Sequence, residues 1–434
     1  MSQIKAVRGT RDLLPPETEL WNRVEATARR VFGRYAFGEI RTPIFEDTQL
    51  FARGVGEETD IVSKEMYTWE DRPRAQSEKA QMLTLRPENT AGVVRAYIEH
   101  KLGDSGLLQK LYYIGPQFRR ERPQKGRYRQ FFQIGAEVIG PVSAGSESPL
   151  RDAEVLEMLA TFLDELGVTG WTLELNSVGS AQDRPRYVEA LRAALTDVAP
   201  TLCVDCQRRA VTNPLRVLDC KVPEDQEKIN ALPKMQDFLD EASISHFSRV
   251  CGALGACGVP FTVNPRLVRG LDYYTRTTFE FTHGGLGAQN ALLGGGRYDG
   301  LSEAIGGPKA PGIGFAMGAD RLVLTLEAAI GERERAKLDA YVAPIAAGGA
   351  MANRVEEQAL RLARDLRRAG LRVELGDGSF RLKKSFEMGN KVARAIVLFG
   401  EDEDKSGVMI VKDFASGDQT NVARGELAEF LRGK

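Results

Sequence analysis

Residues 118–138 read FRRERPQKGRYRQFFQIGAEV, the segment densest in groups that could do chemistry. Arg119, Arg120, Arg122, Lys125, Arg127 and Arg129 stand against the acid Glu121. Pro123 and Gly126 make the middle turn-like, so the segment predicts a hairpin with a basic tip. Guanidinium groups there suit phosphate, of a nucleotide or of a nucleic-acid end. Side chains alternate along the returning strand. Phe131, Gln133, Gly135 and Glu137 therefore share one face, and Phe132, Ile134, Ala136 and Val138 the other. The second face is core. The first is either the solvated face of an edge strand or a buried site, where Glu137 needs a cationic partner from protein or ligand.

Three further segments carry candidates. In Leu267–Thr275 (LVRGLDYYT), Arg269 can fork onto a carboxylate or phosphate, and Tyr273 and Tyr274 can bond a polar ring. A packed aromatic cluster with an arginine reaching to solvent explains the same residues. In Ala291–Gly300, the run Gly294–Gly296 lets backbone approach a ligand, or forms a loop or bulge, just before Arg297 and Tyr298. Gly312–Leu322 predicts a strand, a glycine-lined turn and a helix with Arg321 in its first turn. Its glycines miss both dinucleotide-binding and P-loop spacings. Cys203, Cys206 and Cys220, with Cys251 as a fourth, could bind zinc or remain inert thiols.

The elements that must position these groups follow from periodicity. The chain has 434 residues, 42% hydrophobic and 27% charged, which predicts several soluble domains. No apolar run approaches the roughly 20 residues of a membrane span, and the first residues lack a signal-peptide core, so the expected setting is cytoplasmic. A net charge of −1 confines any nucleic-acid contact to local basic clusters. Five cysteines without a signal argue against a disulfide scaffold. His100, His246 and His283 form no HExxH pair, and no G-x-S-x-G elbow is present. Helices are expected at 17–33, 90–99 and 152–166, and strands at 40–46, 111–114, 128–140, 261–263, 277–282 and 312–315. A polar, helix-leaning stretch interrupts this pattern at 177–256. After a charged linker near 331–337, alternating strands and helices predict a small α/β domain with a largely parallel sheet.

Taken together and in order, these segments resemble the signature motifs of class II aminoacyl-tRNA synthetases. They are the strand with Pro43, the hairpin with Arg119 and the strand–helix with Arg321. Leu267–Thr275 and Leu292–Leu301 resemble the two motifs special to the histidyl-tRNA synthetase family, and Leu85–Thr90 (LRPENT) its amino-acid-binding segment. The likeness runs from about Val7 onward.

The resemblance implies an α+β fold: an antiparallel-sheet catalytic core (1–176 and 257–330), a helical insertion (177–256) and an anticodon-binding α/β domain (336–434). It implies ATP-dependent activation of L-histidine and its transfer to tRNA(His) by a homodimer, with ATP as substrate and Mg²⁺. Glu88, Tyr273 and Tyr274 match positions that hold the imidazole; Glu137 and Gln133 match those around the ammonium group. Asn89, Thr90 and Tyr298 stand at further substrate positions. Arg119 matches the residue touching carboxylate and α-phosphate, and Arg269 the family's catalytic arginine on the α-phosphate. Glu121 and Arg127 match ATP contacts, and Arg321 the γ-phosphate side. Gln124 and Arg127, at the hairpin tip, match the loop that meets the tRNA acceptor end. The alternatives are a non-catalytic synthetase-like regulatory subunit of histidine biosynthesis, a synthetase for another amino acid, and an RNA-binding module. The first typically lacks the C-terminal domain and erodes the arginines, both of which are intact here.

Overall fold

Leu20, Trp21, Val24, Ala28, Val31 and Phe32 recur at helical spacing, and Glu17–Arg34 forms helix α1 with those side chains buried. In the computed structural model, described for residues 3–56, 59–71, 80–124, 126–268, 273–286, 290–330, 337–345 and 350–433, the chain divides into two compact units, Met1–Glu332 and Arg333–Lys434.

In the first unit α1 is followed by β1 (Gly38–Glu39), β2 (Phe45–Asp47), α2 (Thr48–Val55), β3 (Tyr67–Asp71), β4 (Gln81–Leu85) and α3 (Thr90–Glu99). Next come β5 (Gln109–Phe118), β6 (Gln130–Ile139), α4 (Pro149–Leu166) and β7 (Trp171–Ser177). The strand expected at 40–46 forms only at its end: β1 stops at Glu39, residues 40–44 lie in no strand, and β2 starts at Phe45 in a different sheet. β1 pairs with β5 and β2 with β4. Pro43 cannot donate to a ladder. Instead the buried Arg86 guanidinium takes the carbonyls of Thr42, Pro43 and Pro116 at 2.9, 3.2 and 2.9 Å, pinning the bend against β5.

Four helices follow: α5 (Asp183–Val198), α6 (Val204–Thr212), α7 (Gln226–Asn230) and α8 (Glu241–Ala256). Tyr187, Leu191, Leu195, Val217 and Ile229 enclose a small core of their own. α8 instead buries Val250 and Leu254 with Leu156, Leu159 and Leu163 of α4 in the main core. The unit closes with β8 (Thr262–Val263), β9 (Thr275–His283), β10 (Ala291–Arg297), α9 (Leu301–Ala304), β11 (Gly312–Gly318) and α10 (Ala319–Ile330).

Eight strands form the principal sheet in the order β1-β5-β6-β11-β10-β9-β7-β8. From β5 to β7 every pairing is antiparallel. β6 is interior, so the edge-strand alternative for its polar face falls away. Ile134, Ala136 and Val138 enter the core beneath α1, α4 and α10, as the alternation predicts.

The second unit contains β12 (Leu338–Pro344), α11 (Ala350–Arg368), β13 (Val373–Leu375), α12 (Leu382–Val392) and β14 (Ala393–Phe399). It continues with α13 (Glu401–Ser406), β15 (Val408–Asp413), β16 (Gln419–Ala423) and α14 (Leu427–Arg432). The expected largely parallel sheet is mixed. β13, β12 and β14 run parallel, whereas β14–β15 and β15–β16 are antiparallel. The turn closed by Asp413 N–H to the Asp418 carbonyl is too short for a parallel crossover.

Candidate active site

Glu137 projects from β6 on the face away from the core and is fully buried. Its register partner on β11 is Gly314. A Cβ there would lie 1.6 Å from Glu137 Oε2, so only glycine leaves room for the carboxylate. Tyr298 donates its hydroxyl to Oε2 at 2.6 Å, and Thr90 donates to Oε1 at 2.7 Å. The cationic partner expected from the sequence is not supplied by the described residues: neutral hydroxyls serve instead, and no ion pair to Glu137 forms among them. Burial pushes its carboxyl up to about 8, only partly countered by those hydrogen bonds.

Glu88 precedes α3 and accepts the Thr90 and Ala91 N–H groups at 2.7 and 3.0 Å, satisfying two orphan donors of the helix. Its carboxyl is buried and likewise pushed up, by desolvation first. Tyr273 and Tyr274 pack with their rings tilted 55° and centroids 4.7 Å apart, and Tyr273 meets Tyr298 edge-on at 5.9 Å. Tyr298 is held from behind. Its neighbour Arg297 is fully buried and paired with Asp152 and Asp299, both at 2.8 Å. The Gln133 Oε1 atom is buried without a hydrogen-bond partner among the described residues.

The opposite end is cationic. Arg119 donates Nε to the Pro87 carbonyl at 2.8 Å and stands 5.2 Å over the Phe131 ring. Glu121 lies between Arg119 and Arg127, 3.7 and 3.3 Å from their guanidinium nitrogens. Arg321, in the first turn of α10, donates to the Ala291 carbonyl at 3.2 Å, and desolvation lowers its pKa.

Both ends belong to one cleft of about 320 Å³. Glu88, Thr90, Arg119, Glu121, Arg127, Gln133, Glu137, Tyr273, Tyr274, Tyr298 and Arg321 all line it. The floor is stripped of side chains, with Gly294, Gly314 and Ala316 presenting backbone from adjacent strands. Gly294–Gly296 are thus strand residues of β10, not a loop. Asn89 is buried outside the lining and accepts a hydrogen bond from Thr42 at 2.5 Å. Gln124 sits at the exposed tip, its backbone closing the turn with Arg127. Arg269 lies outside the described residues. Sequence reasoning passed over Phe131 as a platform for Arg119, and also Glu280 and Asp320, which line the cleft. Glu280 was detectable only as the middle of a polar alternation, Thr278-Glu280-Thr282, opposite the core-facing Phe279 and Phe281.

The thiols are also placed. Cys203, Cys206 and Cys220 come together with Asp225. Cys251, considered from sequence as a fourth ligand, instead packs from α8 against the main core.

An antiparallel floor with anion-seeking and cation-seeking ends agrees with the class II aminoacyl-tRNA synthetase core that the resemblance of the ordered motifs implies. A profile described as histidyl-tRNA synthetase matches residues 9–322, and one described as anticodon binding domain matches 339–434. A histidine–tRNA ligase of Koribacter versatilis (strain Ellin345) is 71% identical over 430 residues, 99% of this chain and 96% of that protein. One from Solibacter usitatus (strain Ellin6076) is 56% identical over 99% of both chains. The crystal structure of apo histidyl-tRNA synthetase from S. aureus superposes with a TM-score of 0.78 at 35% identity, covering 99% of this chain and 100% of its own. The chain belongs to the histidyl-tRNA synthetase family.

Proposed function

We propose that the protein activates L-histidine with ATP and transfers it to the 3′ end of tRNA(His). One observation carries the assignment: a single cleft with two buried carboxylates free of ion pairs among the described residues, Glu88 and Glu137, at one end and Arg119, Arg127 and Arg321 at the other. Histidine brings an ammonium group and a basic ring to the first end and its carboxylate to the second. Glu137 and Gln133 receive the ammonium group. Glu88, Tyr273 and Tyr274 receive the imidazole, with Thr90 and Tyr298 holding Glu137 in place and Asn89 bracing the start of α3.

Histidine's carboxylate oxygen attacks the α-phosphorus of ATP. The new O–P bond forms as the bond to the β-phosphate oxygen breaks, and pyrophosphate leaves with that electron pair. Charge grows on the α-phosphoryl oxygens, where Arg119 and, by resemblance, Arg269 bind it more tightly than in the ground state. Arg321 takes the γ-phosphate end, and Arg127 with Glu121 the rest of the nucleotide. Mg²⁺ entering with ATP would neutralise phosphate charge. Glu280 and Glu121 offer the hard oxygen ligands it requires. The 2′ or 3′ hydroxyl of the terminal adenosine then attacks the adenylate carbonyl, AMP departs, and a phosphate oxygen takes the hydroxyl proton. No protein nucleophile is needed.

We assign residues 1–176 and 257–330 to the catalytic core, 177–256 to the insertion and 336–434 to anticodon binding. Arg381, Lys383, Lys384 and Lys391 are exposed on or beside α12 and suit the tRNA backbone. Gln124 and Arg127 are placed to meet the acceptor end. A homodimer fits the three-stranded sheet β2-β4-β3, where exposed Phe45 and Trp69 pack at 6.1 Å over a face shared with Leu83 and Leu85. No helix among the described residues is long and apolar enough to cross a membrane, and we assign a cytoplasmic setting. No observation favours the regulatory-subunit alternative.

ATP–pyrophosphate exchange with each amino acid in turn tests the assignment. Exchange with histidine alone is expected; exchange with none returns the protein to the non-catalytic alternative.

A further inference from the structure

Cys203 precedes the first residue of α6, Cys206 lies within that helix, Cys220 follows the 3₁₀ turn Pro214–Asp219, and Asp225 ends the 3₁₀ turn Pro223–Asp225. One ligand atom from each of the four lies within 4.8 Å of all the others. Two edges of this cluster are 3.9 Å (Cys203 Sγ to Cys220 Sγ) and 3.5 Å (Cys220 Sγ to Asp225 Oδ2). Tetrahedral zinc, with Zn–S of about 2.3 Å and Zn–O of about 2.0 Å, has S···S edges of about 3.8 Å and S···O edges of about 3.5 Å. A disulfide would bring two sulfurs to about 2.05 Å.

The surroundings favour a cation. Cys206, Cys220 and Asp225 are buried. Among the described residues no Lys or Arg lies within ion-pair distance of Asp225; Lys228 acts on it only from farther off, so the carboxylate packs against thiols with no directly paired cation. Backbone amides point at the ligand atoms: Cys203 N–H donates to Asp225 Oδ2 at 3.0 Å, and Val222 N–H to Cys220 Sγ at 3.4 Å. Such second contacts orient ligands and stabilise their anionic forms.

We propose that Cys203, Cys206, Cys220 and Asp225 form a structural Zn²⁺ site. On binding, the three thiols release their protons to solvent, and the metal is held by three thiolates and one carboxylate, with no open position. The site joins three short segments that share a small core of their own, and metal binding would add to the stability of that core. The same segments also hold Arg266. Arg266 donates to the Leu218 and Cys220 carbonyls at 3.1 and 3.3 Å and to Gln226 Oε1 at 2.7 Å. That arginine lies shortly before Tyr273 and Tyr274 in the chain. Zinc binding itself does not depend on the proposed histidine chemistry.

The test is elemental analysis of the full-length protein after equilibration with Zn²⁺ and removal of free metal. One zinc per chain is expected. Cys220→Ser and Asp225→Asn should lower it, and Cys251→Ser should leave it unchanged. X-ray absorption at the zinc edge of the unsubstituted protein should give a first shell of three sulfurs and one oxygen, so the proposal stays testable if a variant does not fold. Protein that retains no zinc, a shell of nitrogen and oxygen alone, or Cys220→Ser holding as much metal as its parent overturns it.

Discussion

The two ends of the cleft handle charge in opposite ways. At the histidine end Glu88 and Glu137 are buried and satisfied by hydroxyl and amide donors, and desolvation pushes both carboxyls up. At the nucleotide end Arg119 and Arg127 are partly exposed and already share Glu121. An unpaired buried carboxylate is costly, so the first end leaves an unmet demand that a cationic ligand satisfies. The second end is ready-made for anions because its positive charge is held in place before the substrate arrives. On the proposed function, the first end chooses the amino acid and the second accelerates the reaction.

The sharpest way to break this division is Arg119→Ala. Removing a cation placed where transition-state charge grows should cost about a hundred- to a thousandfold in the rate of adenylate formation. Single-turnover measurement under saturating histidine and ATP reads it. A loss confined to histidine affinity, with the rate intact, would assign Arg119 to the wrong end. A smaller effect is expected from Phe131→Leu, which removes the ring beneath Arg119. A cation–π contact of about 0.5–1 kcal/mol corresponds to a rate only a few times slower, with histidine KM unchanged. A rise in that KM instead would blur the boundary between the two ends.

Much of this geometry was legible in local pattern. Two-residue alternation placed Gln133 and Glu137 together, opposite Ile134, Ala136 and Val138, and glycine runs marked the bare floor. Partners distant in sequence were not legible. Glu137 takes its hydroxyl donors from Thr90 and Tyr298, 47 and 161 positions away, and nothing near it announces them. Glu280 reads as an ordinary outward residue until the β9–β10 register sets it opposite Gly294. Cysteine spacing drew attention to Cys251, whereas the fourth member of the cluster is Asp225, one carboxylate among many. The C-terminal sheet failed for another reason. β16 is short and polar, and a largely exposed strand carries almost no hydrophobic signal.

Proton release on histidine binding, measured by calorimetry in buffers of different ionisation heat, tests the latent negative charge most directly. With its carboxyl near 8, Glu137 is mostly protonated at about pH 7 and must lose that proton to face an ammonium group. Affinity for histidine should therefore rise from about pH 6 toward 8 and then level as far as this group is concerned, because above its own pKa there is no proton left to displace. The unmodified protein should release more protons than Glu137→Gln, whose affinity should be weaker and should lack this component of the pH dependence. Equal proton release by the two proteins would show that Glu137 loses no proton when histidine binds and would contradict the account.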